Sequence, residues 1–462
     1  MRSRSIVEAV IERGVRCYGV NTGVGSLCDV IVDRTQQQQL SHNIIMSHAC
    51  GVGDPLTDAE TRAIMACAAN NFALGRSGVR PLIVEKLLEL LNAGIVPVVP
   101  RAGSIGYLTH MAHIALVLIG SGAARVDGRT ISGAEAMRHI GTAPLQLMAK
   151  DGLSLVNGTP CATGLACLAL ERATRLLGWA DAVAAMSFEN LGRAPDAWSG
   201  EALQFRRSRG VAETAIRLDA LLAGGALLAR APTRTQDALS LRAVPQVHGA
   251  VRDQLDAIGA TLDEELASVT DNPVVAGTPA EPVVHSGAYA VGTALALAMD
   301  QLSIAGAKVA AMSERRIDRL VNPLVSGLPP FLAKGAGVSS GFMIAQYTAL
   351  SLASENRRLA APASLDGGVS SGLQEDEISH ATPAALKALA VVDNLETMLA
   401  IELLCAAQAY EFQDAALKPA PALGAVFAGL RQKVSAYADD RPLAGDIGVA
   451  VQFIRAVSPP RD

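Results

Sequence analysis

The chain has 462 residues, 50% of them hydrophobic and only 3% aromatic, so it can bury a large core built mainly from Ala, Leu, Val and Ile. A formal net charge of -5, a pI near 5.9 and the lack of any basic run give no electrostatic footprint for nucleic acid or an anionic membrane surface, which leaves small-molecule chemistry as the expectation. The start, Met1-Arg-Ser-Arg-Ser-Ile-Val-Glu, carries charge inside its only apolar stretch and does not read as a signal peptide. The run Ile114 to Ile119 is too short to span a bilayer, and 291–312 is interrupted by Asp300, Gln301 and Lys308. A cytoplasmic protein with no membrane partner is expected.

In chain order, residues 1–150 carry several loops rich in Gly, Pro and Asn, at 19–25, 49–55 and 96–106. From about 160 the pattern changes, and apolar residues recur at i, i+3 and i+4 over 161–192, 243–268, 289–322, 340–359 and 384–413, which predicts long helices. Breaks fall at Asp271-Asn-Pro273, Gly327-Leu-Pro-Pro330 and Gly367-Gly-Val-Ser-Ser-Gly372. The expected fold is all-α: a loop-rich, mainly helical N-terminal domain over 1–150, closing over one end of a long helical bundle over 151–462. The seven cysteines include no C-x-x-C pair and read as reduced core thiols; the eight histidines lack zinc-site spacing, so no metal is expected.

Taken singly, the polar residues of these loops say little: Tyr18 reads as a half-buried tyrosine and Arg242 as a structural cation. Their loop contexts say more. In order come Tyr18-Gly-Val-Asn21-Thr-Gly-Val-Gly25, Ser41-His-Asn-Ile-Ile-Met-Ser47-His48, Pro100-Arg-Ala-Gly-Ser-Ile-Gly106, Asp151-Gly-Leu-Ser-Leu-Val-Asn157-Gly-Thr159, Ser240-Leu-Arg242-Ala-Val-Pro-Gln246, Gly327-Leu-Pro-Pro-Phe331 and Gln374-Glu375. From residue 17 almost to the C-terminus this series resembles the histidine, phenylalanine and tyrosine ammonia-lyases, most closely the histidine branch. The resemblance implies the ammonia-lyase/fumarase-like helical fold and a homotetramer whose active sites combine loops from several subunits. It also implies a carbon–nitrogen lyase acting on a small amino acid. Tyr18 would act as the base, which needs its phenol lowered by neighbouring dipoles or cations, with His48 and Glu375 on the ring of the substrate. Arg242 would hold the carboxylate, and Asn157, Gln236, Phe331 and Gln374 would complete substrate binding. A histidine and a carboxylate suit an imidazole, whose two nitrogens an apolar pocket would leave unpaired at about 1–3 kcal/mol per group.

The family builds an electrophilic methylidene-imidazolone from an Ala-Ser-Gly triplet that follows the Gly-Ser-hydrophobic-Gly run. Here Gly106 is followed directly by Tyr107. Either the cyclised triplet is left out of the written sequence, or the enzyme works without it. Nearby departures favour a genuine loss: Tyr107 stands for the expected Asp, His110 for Pro, Leu239 for Tyr, Leu373 for Asn, and Gly287-Ala-Tyr-Ala290 for Gly-Asn-Phe-His. Gly106, Tyr107 and His110 would then line a vacated cofactor position. A quaternary trimethylammonium leaves without covalent activation, so the reading placed first is a cofactor-free lyase acting on a histidine betaine such as ergothioneine or hercynine. The alternatives are an ordinary histidine ammonia-lyase carrying methylidene-imidazolone and an inactive binding or structural homologue.

Overall fold

The computed structural model describes residues 2–192, 194–230, 235–335, 337–365 and 367–460. It is mainly helical, and the five long helices expected from periodicity are Pro160–Leu191, Val244–Leu266, Thr293–Val321, Met343–Leu359 and Ala381–Tyr410. The chain forms two compact units that interleave in sequence. The first comprises Met1–Ala169, Gly259–Asp300 and Pro362–Leu386; the second comprises Leu170–Ile258, Gln301–Ala361 and Lys387–Asp462.

In the first unit, short helices alternate with small antiparallel sheets of two or three strands, such as Ala123–Val126 paired with Arg129–Ser132. The helix Asp58–Ala73 begins where Thr57 and Glu60 form a reciprocal capping box, which satisfies two otherwise unpaired N–H groups. Pro81 starts the helix Pro81–Asn92, where its missing N–H costs nothing, and Ile83, Leu87 and Leu90 make its buried stripe at i, i+4 and i+7.

The helices Gln37–His48 and Asp151–Val156 matter most for the site. They meet at Gly152, where an added Cβ would lie 2.2 Å from the Ser41 carbonyl oxygen, so only glycine allows the approach. Around this contact the Ser41 hydroxyl donates to the Met148 carbonyl at 2.7 Å and accepts from Gly152 N at 3.3 Å. His48 ends the first helix and Asn157 caps the second.

The second unit is packed by Ala- and Leu-rich helices that bury several paired charges. Arg316 and Glu402 are both fully buried and joined at 2.6 Å, with the Ser187 hydroxyl donating to the same carboxylate. Asp181 accepts from His248, Arg252 and Arg217. Two stretches, Asp151–Leu191 and Thr293–Val321, are long and apolar enough to cross a membrane; most of each apolar window is buried within the protein, as expected of core helices.

Candidate active site

A cavity of about 900 Å³ lies within the first unit, and it gathers Tyr18, His48, Tyr107, Asn157, Gln374 and Glu375. The local sequence explains how each side chain gets there. Asn21 closes the Tyr18 loop by accepting from Cys17 N at 2.8 Å and donating to the Val15 carbonyl at 2.9 Å, while the Thr22 hydroxyl accepts from Gly19 N. Gly19 and Gly25 have left-handed backbones. The loop places the Tyr18 phenol oxygen where it accepts from Gly25 N at 3.1 Å.

Glu375 comes from a turn in which Ser371, Gly372 and Leu373 all have positive φ, closed by Ser370 N donating to the Glu375 carbonyl at 2.8 Å. The Ser370 hydroxyl donates to the Glu375 carboxylate at 2.9 Å. This turn and the Tyr18 loop fit closely: a Cβ on Gly25 would lie 3.2 Å from the Ser371 side chain, and one on Gly372 would lie 2.9 Å from Ser26. Residues some 350 positions apart thus share one wall.

The electrostatics centre on Glu375. Burial pushes the Tyr18 phenol above its usual value; the Gly25 N–H pulls it down in part, and the Glu375 charge pushes it further up. The lowering by neighbouring dipoles or cations expected for a base is not what these residues supply. Tyr107 is buried near Glu375, and burial together with that carboxylate holds its phenol well above the ordinary range, so it is neutral. Burial lowers His48, against smaller upward pulls from the Ile44 backbone and Glu375; its Nδ1 lies 3.0 Å from the Ser47 hydroxyl.

His110 does not line this cavity, contrary to the sequence expectation. It is 1% exposed, its Nε2 lies 2.9 Å from the Arg101 carbonyl oxygen, and burial pushes its pKa down to about 4. An imidazole replacing the expected proline fills space in the helix Thr109–Leu118, where it bonds backbone instead of facing substrate. Gly106 is buried in the adjoining loop, its carbonyl accepting from the Thr382 hydroxyl at 3.2 Å. Arg242, Gln236 and Phe331 belong to the second unit. Arg242 ends the short helix Leu239–Arg242 with its Nε buried and unpaired, Gln236 is exposed, and Phe331 has a left-handed backbone.

As written, the chain runs from Gly106 straight into Tyr107, with no Ala-Ser-Gly triplet between them. The serine nearest the expected place, Ser104, is followed by Ile105 instead of glycine, and its hydroxyl is committed to the Tyr107 carbonyl at 2.9 Å. The Tyr107 ring also stands on the cavity wall against Glu375. Sequence reading missed Leu153, Asn272 and Ser371 as lining residues. Asn272 was legible only as part of a chain break, and Leu153 only as an apolar residue within the asparagine motif.

Residues 1–432 match the aromatic amino acid lyase family. The chain belongs to that family. It is therefore a carbon–nitrogen lyase. It is 45% identical over 457 residues to a histidine ammonia-lyase of Symbiobacterium thermophilum, covering 98% of this chain and 90% of the relative. Among solved structures, tyrosine aminomutase of Streptomyces globisporus is 36% identical with a TM-score of 0.93, covering 98% of this chain and 90% of that one. Ergothionase of Treponema denticola is 27% identical with a TM-score of 0.91, covering 98% and 91%.

Proposed function

We propose that this lyase removes the α-amino group of histidine, releasing ammonia and an imidazolyl acrylate. The observation that carries the reading is the convergence of His48 and Glu375 on one cavity, where a neutral imidazole and a carboxylate can hydrogen-bond the two ring nitrogens of a substrate. The 45% identity to a histidine ammonia-lyase supports the same substrate. This ordering corrects the sequence reading that placed a betaine first, since ergothionase is the more distant relative at 27%.

In the reaction, Tyr18 takes the proton from the carbon beside the ring. Its raised pKa makes it a strong base once ionised and leaves little of it ionised at neutral pH, so substrate binding must supply compensating positive charge. Glu375 accepts from a ring N–H and stabilises the ring in its cationic form, which acidifies that carbon. Gln374 contacts the substrate from the cavity wall, and in a homotetramer with shared sites Arg242, Gln236 and Phe331 would come from neighbouring subunits, Arg242 clamping the carboxylate through two parallel bonds. The C–H electrons form the double bond as the C–N bond breaks, and the nitrogen leaves with that bond's pair as ammonia, a departure that methylidene-imidazolone would assist where the chain carries it.

One observation favours a second reading, a trimethylammonium betaine such as hercynine or ergothioneine: the written chain places Tyr107 where the Ala-Ser-Gly triplet would stand. A tertiary amine leaves such a substrate without covalent activation. The deciding experiment incubates purified protein with histidine, hercynine and ergothioneine, follows the ultraviolet absorbance of the acrylate and the released amine, and measures intact mass. Urocanate and ammonia from histidine support the first reading. Trimethylamine release with a mass equal to the written sequence overturns it in favour of the second. Release of neither refutes both and leaves the binding homologue.

A homotetramer with shared sites in the cytoplasm completes the proposal. The helix Met343–Leu359 supports self-association, since it exposes Ile344, Tyr347 and Leu350 along one face.

A further inference from the structure

We infer that the buried Lys150–Asp271 pair decides which atom of the Asn157 carboxamide faces the cavity, making Lys150 a positioning residue and the Asn157 oxygen an acceptor for an N–H on the substrate. The inference rests on the reading of this cavity as the active site.

Lys150, Ser154 and Asp271 are each fully buried. A lone ammonium or carboxylate there would be very costly, so each charge requires the other. The Lys150 ammonium lies 3.0 Å from Asp271 Oδ2 and 3.0 Å from the Ser154 hydroxyl, which itself donates to the same carboxylate oxygen at 2.8 Å. Lys150 reaches this position with a left-handed backbone, at the start of the helix that Asn157 ends. With Oδ2 held by two donors, Asp271 turns Oδ1 toward Asn272 N at 2.7 Å and the Asn157 carboxamide nitrogen at 3.4 Å. That nitrogen also donates to the Asn272 carbonyl at 2.7 Å.

The orientation of a carboxamide follows from its partners. Both groups on this side of Asn157, an ionised carboxylate oxygen and a backbone carbonyl, can only accept, so the nitrogen must face them and the oxygen must face away. Among the described residues no protein donor reaches Asn157 Oδ1, and it is not among the buried unpaired atoms, so it opens on the cavity that Asn157 lines. The loop cannot relax easily: a Cβ on Gly158, whose φ is +91°, would lie 2.9 Å from the Thr270 hydroxyl, and that hydroxyl accepts from Thr159 N at 3.2 Å. Asp271 thus acts through Asn157 without itself lining the cavity. A cavity that offers a fixed acceptor favours a ligand bearing N–H at that point over one fully substituted there.

The test is a double-mutant cycle. The pair Lys150→Met with Asp271→Ala removes both charges together with the acceptor that faces the Asn157 nitrogen. With histidine, or with the betaine if that is the compound turned over, kcat/KM should fall tenfold or more. In an Asn157→Ala background the same pair should change it by less than twofold. Equal losses in both backgrounds, or no loss in the parent, would overturn the inference. Should the pair not fold, Ser154→Ala removes one donor from Asp271 and is expected to cost two- to fivefold in the parent and nothing in the Asn157→Ala background; an equal cost in both again overturns it. Asn157→Ala with unchanged kcat/KM would instead refute the reading of the site. The crystal structure of the charge-removed variant then decides the clamp: an Asn157 side chain unmoved against the Asn272 carbonyl refutes it, and a rotated one supports it.

Discussion

Tyr18 illustrates how a single residue gains its role from its neighbours. Its phenol is held by one backbone N–H and raised by burial and by Glu375, so the proposed base is strong but in small supply. Tyr18→Phe removes that base without disturbing the loop, whose hydrogen bonds run through Asn21 and Thr22. Turnover should fall by about 10²–10⁴-fold with substrate binding retained, as steady-state kinetics and a binding assay would show; turnover within a few-fold of the parent would assign the proton to another group. His110 makes a prediction of a different kind. Its folded pKa of about 4 lies below the unfolded value of about 6.5, so the fold holds it neutral while the unfolded chain takes up a proton. Stability from this residue is complete above pH 6.5 and is lost as pH falls from there to about 4, by roughly 3 kcal/mol. His110→Gln keeps an N–H for the Arg101 carbonyl and does not titrate. Denaturant melts at pH 7 and pH 4.5 should therefore show a smaller acid loss in the variant; equal losses would place the acid sensitivity elsewhere.

Among the elements, the contact of Gln37–His48 with Asp151–Val156 carries the most consequence, because both helices end in cavity residues. Gly152→Ala forces the two backbones apart, since the new Cβ would meet the Ser41 carbonyl oxygen at 2.2 Å. A loss of about 3 kcal/mol is expected from overpacking, read as a lower denaturation midpoint. Because His48 and Asn157 move together, kcat/KM should fall by at least tenfold even at temperatures where the variant remains folded. A variant as stable and as active as the parent would show that the helices can slide without cost.

For the whole molecule, the exposed face of Met343–Leu359 is a feature that a lone chain leaves unexplained. Tyr347 is 59% exposed between Ile344 and Leu350, where a charge would be harmless in a monomer and costly in an apolar interface. Tyr347→Asp should lower the mass measured by light scattering from that of the proposed tetramer toward dimers or monomers, with helical content unchanged by circular dichroism. An unaltered assembly would remove this face from the interface.

Much of this protein was legible without coordinates. The long helices follow from apolar residues repeating at helical spacing, because a helix buries one face whatever it packs against, and the ordered loop motifs already pointed to the lyase family. The motif glycines and Asn21 could be read as well, since their backbone roles are local. What the sequence left open depends on distant neighbours. His110 stood beside the cofactor segment in sequence yet turned to the Arg101 carbonyl, because the helix rotation at that position is fixed by packing. Tyr18 met a carboxylate 357 positions away, through loops that interlock at Gly25 and Gly372, and its pKa rose where a fall was expected. The Asn157 carboxamide was oriented by Asp271, 114 positions on, behind a buried lysine that no motif marked. Desolvation and the direction of a hydrogen bond are properties of a closed three-dimensional neighbourhood, and only the tertiary fold decides which groups make it up.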